Sequence, residues 1–279
     1  MEPGASGTVV GVYVYPVKGC RGIALRQGFV GARGLTHDRR WMIVDEEGKF
    51  VTQRTEPSLA TVDVAIEGDE LVLQGPNDAP LRWRANALGS APRRRVKIWR
   101  DEVEATDCGA DAAAWATRLL GKPASLVFMP DDVLRPVNPQ YARPDDVVGF
   151  ADAFPLLVAS TSSLAALNAR MTEALPMDRF RPNVVVDGFA PWAEDVWARI
   201  LAGSLPIRIA KPCARCVVTT TDQRTGERGV EPLRALAAFR RRGNDILFAQ
   251  NAVPDAVGTV AIGERVVALE TRAVEPFDA

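Results

Sequence analysis

The sequence predicts a mainly β protein with some helix, an α+β chain whose strands close into barrels while a few helices lie outside them. Three observations carry this expectation. Thr8 to Tyr15 alternates Val and Tyr with smaller residues, the period-two pattern of a half-buried strand. Short β-branched runs recur down the chain with turn residues between them, and stretches with helical spacing are few. At 279 residues the chain has room for one large domain or two ordinary ones.

The elements follow in order. Trp41 to Val44 precedes a turn at Asp45-Glu46-Glu47-Gly48, and Lys49 to Thr52 resumes, which reads as a hairpin. Further strands are expected at Thr61–Ile66, Glu70–Leu73 and Val96–Trp99, with Gly68-Asp69 turning between the first two. Ala110 to Leu120 is Ala-rich, places Trp115, Leu119 and Leu120 at helical spacing and stops at Gly121, so it predicts a helix. Pro and Asp then cluster from Pro130 to Asp146, a long loop of the kind that usually carries function. A second helix is expected from about Ser162 to Ala174, capped by its serines. Asn183–Val186 suits a buried strand, and Leu205–Ala210 delivers the chain into Cys213-Ala214-Arg215-Cys216. Glu231-Pro232 opens a third helix running to about Arg241, and GTVAIGERVVALE closes the chain as strand, turn and strand.

Composition narrows the class. With 47% hydrophobic and 25% charged residues this is a globular chain, and a net charge of -1 argues against a nucleic-acid binder. Arg93-Arg94-Arg95 and Arg240-Arg241-Arg242, the dense basic runs, read as solvated loop or helix surface. No apolar run approaches the roughly 18 residues of a membrane span, and the first residues lack a secretory pattern. The expectation is a cytoplasmic monomer that meets neither membrane nor nucleic acid.

Cysteines stand at 20, 108, 213 and 216, too sparse for a disulfide scaffold. The pair at 213 and 216 has several chemical readings. Half a structural zinc site would need two more ligands, and the one histidine, His37, is distant in sequence. A site built from all four cysteines would need the isolated pair at 20 and 108 to join. A redox dithiol would sit at a helix N-terminus, whereas Val217-Val218-Thr219-Thr220-Thr221 is a poor helix former. The remaining readings are a single thiolate ligand at a strand end, with Lys211 and Arg215 nearby to favour ionisation, or two inert half-buried thiols.

The pair has company. YPVKGCRG at Tyr15–Gly22, DRRWMIVD at Asp38–Asp45, FADAFPLL at Phe150–Leu157, FRPNVVVDG at Phe180–Gly188, AEDVW at Ala193–Trp197 and KPCARCVVTTTDQRTGE at Lys211–Glu227 resemble the MOSC family. LFAQN at Leu247–Asn251 and GTVAIGE at Gly258–Glu264 continue the match in order, so the resemblance runs from about Gly7 to Leu269. It is similar to the two-part members, among them amidoxime reductases and bacterial proteins that detoxify hydroxylaminopurines. The resemblance implies an N-terminal MOSC-associated β-barrel region over 7–122, of which about 7–45 packs into the core of a MOSC domain over 123–275.

The same resemblance implies a molybdenum cofactor, held through its metal by Cys216. Soft thiolates suit such a centre, and the pterin dithiolene brings two further sulfurs. Lys18, Arg39 and Arg181 match positions that bind the cofactor, and guanidinium groups suit its phosphate. Asn183 matches another contact, offering donor and acceptor to pterin edges, and Asp152-Ala153 falls where the family places pterin contacts. Ala214, Arg215 and Asn251 complete the implied set. Gly19 replaces the serine of many relatives, and Asn251 stands where some carry an aromatic residue. Pyridoxal phosphate binding attaches to the family as a whole, and no residue here is assigned to it.

The implied activity is reduction of N-hydroxylated compounds: hydroxylamines, amidoximes and N-hydroxylated bases. The chain lacks cluster-binding cysteines, so a separate electron donor is expected, a ferredoxin-like protein, a flavin reductase or a cytochrome. A cofactor carrier or sulfur-handling protein without reductase activity is the alternative. A plain β-barrel interaction protein that binds no molybdenum is a third.

Overall fold

A computed structural model describes residues 6–76, 78–84 and 91–278. Seven strands close into a barrel, hydrogen-bonded in the order Ser6–Val14, Arg265–Thr271, Trp197–Ala202, Leu205–Ala214, Asp245–Pro254, Leu156–Ser160, Val184–Asp187 and back to the first. An odd number of strands cannot alternate direction all the way round. One pair must be parallel, and that pair is Leu156–Ser160 beside Val184–Asp187. A parallel pair needs a crossover, which the helix Thr161–Asn168 supplies. The barrel interior is filled by inward-facing residues such as Val12, Val158, Val186, Ile200, Ile207 and Val266.

The first strand therefore belongs to this barrel, paired with Val184–Asp187 on one side and Arg265–Thr271 on the other. After it, Gln27–Gly31 pairs with Gly258–Ala261, tying early chain to late chain again. Residues from about 41 to 128 form two further antiparallel sheets. One is four-stranded, in the order Trp41–Asp45, Ala124–Phe128, Asp101–Asp107, Arg93–Ile98. The other is the meander Asp63–Glu67, Glu70–Gln74, Leu81–Arg84. They share one core in which Ile43, Leu126, Leu71 and Trp83 meet Trp115 of the helix Ala110–Leu120. That helix ends at Gly121, whose φ of +67° is the left-handed cap expected there.

Several expectations are corrected. The second helix stops at Asn168 rather than Ala174, because the Asn168 side chain both donates to Leu175 O and accepts from Leu175 N, each at 3.0 Å, closing a turn. The third helix is only Leu233–Ala237. Past it Arg240 turns inward, almost fully buried, and makes a bidentate pair with Asp195 at 2.6 and 2.8 Å. Arg240 is thus not a solvated basic residue. Arg93–Ile98 is a strand, so that basic run lies on sheet rather than on loop or helix. Lys49 to Phe50 returns as the hairpin requires, through Asp45 N to Lys49 O at 2.9 Å, but forms no strand of its own.

Candidate functional site

One cavity of about 280 Å³ opens where the barrel meets the N-terminal sheets. Every site residue expected from the sequence lines it. Lys18, Gly19 and Arg39 come from the segments after the first strand. Asp152, Ala153, Arg181 and Asn183 come from the approaches to the parallel strand pair, and Ala214, Arg215, Cys216 and Asn251 from the neighbouring strands Leu205–Ala214 and Asp245–Pro254 and the turn after the first of them.

The thiol wall owes its shape to the strand that carries it. Leu205–Ala214 pairs with Asp245–Pro254, and the register slips twice, between Ile209 and Lys211 and between Pro212 and Ala214. Such bulges re-aim side chains. Cys216 then leaves the strand in an extended conformation and starts a single 3₁₀ turn, Val217–Thr220. Its carbonyl accepts from Thr219 N at 3.0 Å and Thr219 Oγ1 at 2.9 Å. Its half-buried thiol, among the described residues, has no hydrogen-bond partner. Arg215 serves the other cysteine. Its Nη1 donates to Cys213 Sγ at 2.9 Å and its Nη2 to Phe180 O at 2.8 Å, so its charge is directed at Cys213 rather than Cys216.

The cationic wall is built on strained backbone. Arg39 and Arg181 both take left-handed φ values, +46° and +55°, which cost non-glycine residues free energy and concentrate at functional sites. Their guanidinium groups each lie 4.3 Å from the centroid of the buried Tyr15 ring. Arg39 is neutralised by Asp38 at 2.6 Å. Arg181 has no carboxylate within ion-pair distance among the described residues, and its polar contact is Gln223 Oε1 at 3.3 Å. Burial, reinforced by the Arg39 charge, pulls the Arg181 guanidinium down to about 10. A half-buried cation without a counter-ion is a receptor for an anion.

Lys18 is buried and ion-paired with Asp152, and its Nζ also donates to Phe150 O at 2.9 Å. Burial pulls the Lys18 ammonium down while Asp152 opposes that shift. The Asp152 side chain is more than half open to solvent. Whatever burial it has would raise its carboxyl, yet the Lys18 charge and hydrogen bond, with Arg54 beyond them, hold it well below the usual range. Gly19 turns the chain at φ +86°, and a Cβ there would meet Leu59 at 3.0 Å, which accounts for glycine in place of serine.

Asn183 lines the cavity with its amide bonded to the protein on every side. Its amide donates to Tyr13 O and Asp38 Oδ1, both at 3.1 Å, and accepts from Leu157 N at 3.1 Å and Arg39 Nη1 at 3.2 Å. Its two donors and two acceptor sites are all used within the protein, and they hold Asp38 and Arg39 against the barrel.

Sequence reasoning missed Arg135, whose position in the long Pro130–Asp146 loop gave no motif. It is buried, pairs with Asp101 at 2.7 Å, and donates to Gly149 O at 2.9 Å, Ala151 O at 2.6 Å and Asp152 O at 3.3 Å. It thereby fixes the cavity wall that carries Asp152 and Ala153. Arg54 and Gln53 also line the cavity unannounced. Their signal is contact with the motif residues: Gln53 Nε2 donates to Gly19 O at 2.6 Å and Arg54 lies 3.8 Å from Asp152.

The thiols at 20 and 108 are elsewhere. Both pack with the core shared by the N-terminal sheets, which rules out a four-cysteine site with Cys213 and Cys216. Among the described residues no group of three or more His, Cys, Asp or Glu could hold a metal ion. A metal in this cavity must bring most of its ligands along. A molybdenum-dithiolene group with a phosphate does so, and an unpartnered thiol and a half-buried guanidinium without a carboxylate, lining the same cavity, fit its two ends.

Fold and cavity together define a β-barrel protein whose cavity is lined by an unpartnered thiol and by an arginine without a carboxylate partner. Residues 6–123 match the family model of the MOSC N-terminal beta barrel domain, and residues 145–267 that of the MOSC domain. The chain is 33% identical over 281 residues to mitochondrial amidoxime-reducing component 1 of Homo sapiens, covering 94% of this chain and 83% of that protein. It is 33% identical over 244 residues to mitochondrial amidoxime reducing component 2 of Bos taurus, covering 84% of this chain and 72% of that protein. The chain belongs to the MOSC family, in the form that joins the N-terminal β-barrel domain to the MOSC domain. Among the described residues no helix is long and apolar enough to cross a membrane.

Proposed function

We propose that this protein is a molybdenum-cofactor-dependent reductase of N-hydroxylated compounds, with the metal on Cys216 and electrons from a separate donor protein. The observation that carries the reading is the presence, in the lining of one cavity, of the unpartnered Cys216 thiol and of the Arg181 guanidinium that lacks a carboxylate. Cys216 is the protein's ligand to the metal. Arg181 receives the phosphate, Arg39 and Lys18, each paired with its own carboxylate, offer further N–H donors beside it, and Asn183 holds Arg39 in place. The names of the relatives, amidoxime-reducing components, support the choice of substrate class.

When bound, the cofactor supplies two-electron chemistry, so that an N-hydroxy compound, two electrons and two protons give the amine or amidine and water. The protein's part is orientation and exclusion of water around the N–O group. The Asp152–Lys18 pair and the Arg135 clamp hold the Asp152-Ala153 part of the lining, and the bulged strand fixes the thiol. The test is reduction of benzamidoxime to benzamidine by protein with a measured molybdenum content, given excess dithionite. Turnover proportional to molybdenum is expected. Metal-replete protein inactive on benzamidoxime, hydroxylamine and an N-hydroxylated base alike would replace this reading with that of a cofactor carrier.

A further inference from the structure

A second cavity, of about 320 Å³, lies against the outer side of the same barrel strand and shares Lys211 with the first. Lys211 stands directly opposite Asn251 across the strand pair, at the first of the two register slips, and so borders both spaces. Its Nζ rests 4.7 Å from the centroid of the Tyr141 ring, a second-cavity residue. Among the described residues Lys211 has no carboxylate within ion-pair distance.

The charges around it are unevenly matched. Arg272, which also lines the second cavity, has its Nη1 on Ile209 O and Ala210 O at 3.1 and 3.0 Å and its Nη2 on Gln250 at 3.3 Å, again with no carboxylate in ion-pair range. Of the acids there, Asp195 is committed to Arg240 and Gln250, and Glu275 pairs with Arg242 at 3.5 Å. Asp245 is left, and it is exposed. Two cations without a carboxylate in ion-pair range among the described residues therefore face a space beside the thiol cleft, one of them bordering both.

Resting on the reductase reading, we propose that this second cavity receives an anionic oxygen group at the end of the substrate remote from the N–O bond, and that Lys211 is the residue that recognises it. The preferred substrates are then N-hydroxylated compounds bearing a carboxylate or phosphate. Tyr141 holds the lysine stem and ammonium in place from below, by the attraction of a cation to an aromatic face. Lys211 is a specificity-determining residue with no part in bond cleavage.

The experiment compares benzamidoxime with 4-carboxybenzamidoxime on molybdenum-replete protein, unsubstituted and as Lys211→Met and Lys211→Arg. Binding is measured by calorimetry without reductant, and KM and kcat with it. The unsubstituted protein is expected to bind the carboxylated compound about tenfold more tightly, the scale of one charge-assisted hydrogen bond. Lys211→Met should bring the ratio of the two affinities to about one, and Lys211→Arg should restore most of the preference. Equal weakening of both compounds, or loss of molybdenum from Lys211→Met, would overturn the assignment, because Lys211 would then serve the wall or the cofactor. Absence of turnover on both compounds would count against the reductase reading alone, since the calorimetric preference is read without turnover.

Discussion

Arg39 and Arg181 lie against the same Tyr15 ring, each guanidinium carbon 4.3 Å from its centroid, yet only Arg39 has a carboxylate. Two like charges at one buried aromatic are costly while the cavity holds no anion. Arg181→Ala is expected to lower cofactor occupancy by an amount corresponding to about 2 kcal/mol, one charge-assisted contact to phosphate. Activity per bound molybdenum should fall much less, because phosphate anchoring is remote from the N–O bond. Molybdenum content measured beside turnover separates the two effects, and a variant with full occupancy would remove Arg181 from the phosphate site.

The two cysteines of the pair are held differently, and their variants should differ accordingly. Cys213 accepts from Arg215 at 2.9 Å, whereas Cys216 Sγ has no partner among the described residues. Cys216→Ala should lose molybdenum and activity together. Cys213→Ser should keep most of both, since a hydroxyl can still accept from Arg215. Equal loss of metal in the two variants, by elemental analysis, would point to a paired-thiol site.

At Gly19 the backbone is in a region that costs an L-residue about 1–2 kcal/mol. Leu59 adds a contact at 3.0 Å from a new Cβ. Gly19→Ser should therefore lower the thermal midpoint of the protein, despite placing a hydroxyl beside the cavity. An unchanged midpoint would mean that the turn relaxes and that glycine is not required there.

Glu194 is buried with one carboxyl oxygen lacking any partner, the other accepting from Ser163 Oγ at 2.8 Å. Burial pushes its carboxyl up to about 7, against the opposing Ser163 hydrogen bond. The folded state thus holds a proton that the unfolded chain releases near pH 4.5. The stability from this group is fully present below that pH and is lost as pH rises through about 7. Glu194→Gln should flatten this part of the profile and raise stability at pH 8 by roughly 2 kcal/mol. Denaturant unfolding at pH 5 and pH 8 reads the difference, and a variant less stable at pH 8 would show that the carboxylate is favoured where it sits.

Much of the site was legible in sequence because its residues stand inside short motifs, and all eleven expected positions line one cavity. The strands were legible for a related reason: alternation, as at Thr8–Tyr15, encodes burial directly. What escaped was set by partners distant in sequence. Arg135 and Arg240 look like surface arginines until Gly149 O, Ala151 O and Asp195 are brought to them by the fold. The second helix was overextended because Asn168 is neutral in propensity, and only its bonds to Leu175 reveal a stop.

The route of the electrons supplies the last prediction. The chain has no G-x-G-x-x-G between a strand and a helix for a dinucleotide, and its four cysteines are a buried pair in the N-terminal core and the pair at the cleft. Neither arrangement passes electrons from NADH. NADH alone should therefore give no benzamidine from benzamidoxime, while dithionite or a reduced small redox protein should. With such a donor protein the rate should saturate in donor concentration and weaken with salt if rim charges such as Arg54 guide the encounter. Turnover with NADH and pure protein would require an electron-accepting site on this chain that the present reading lacks, and would remove the need for a separate donor.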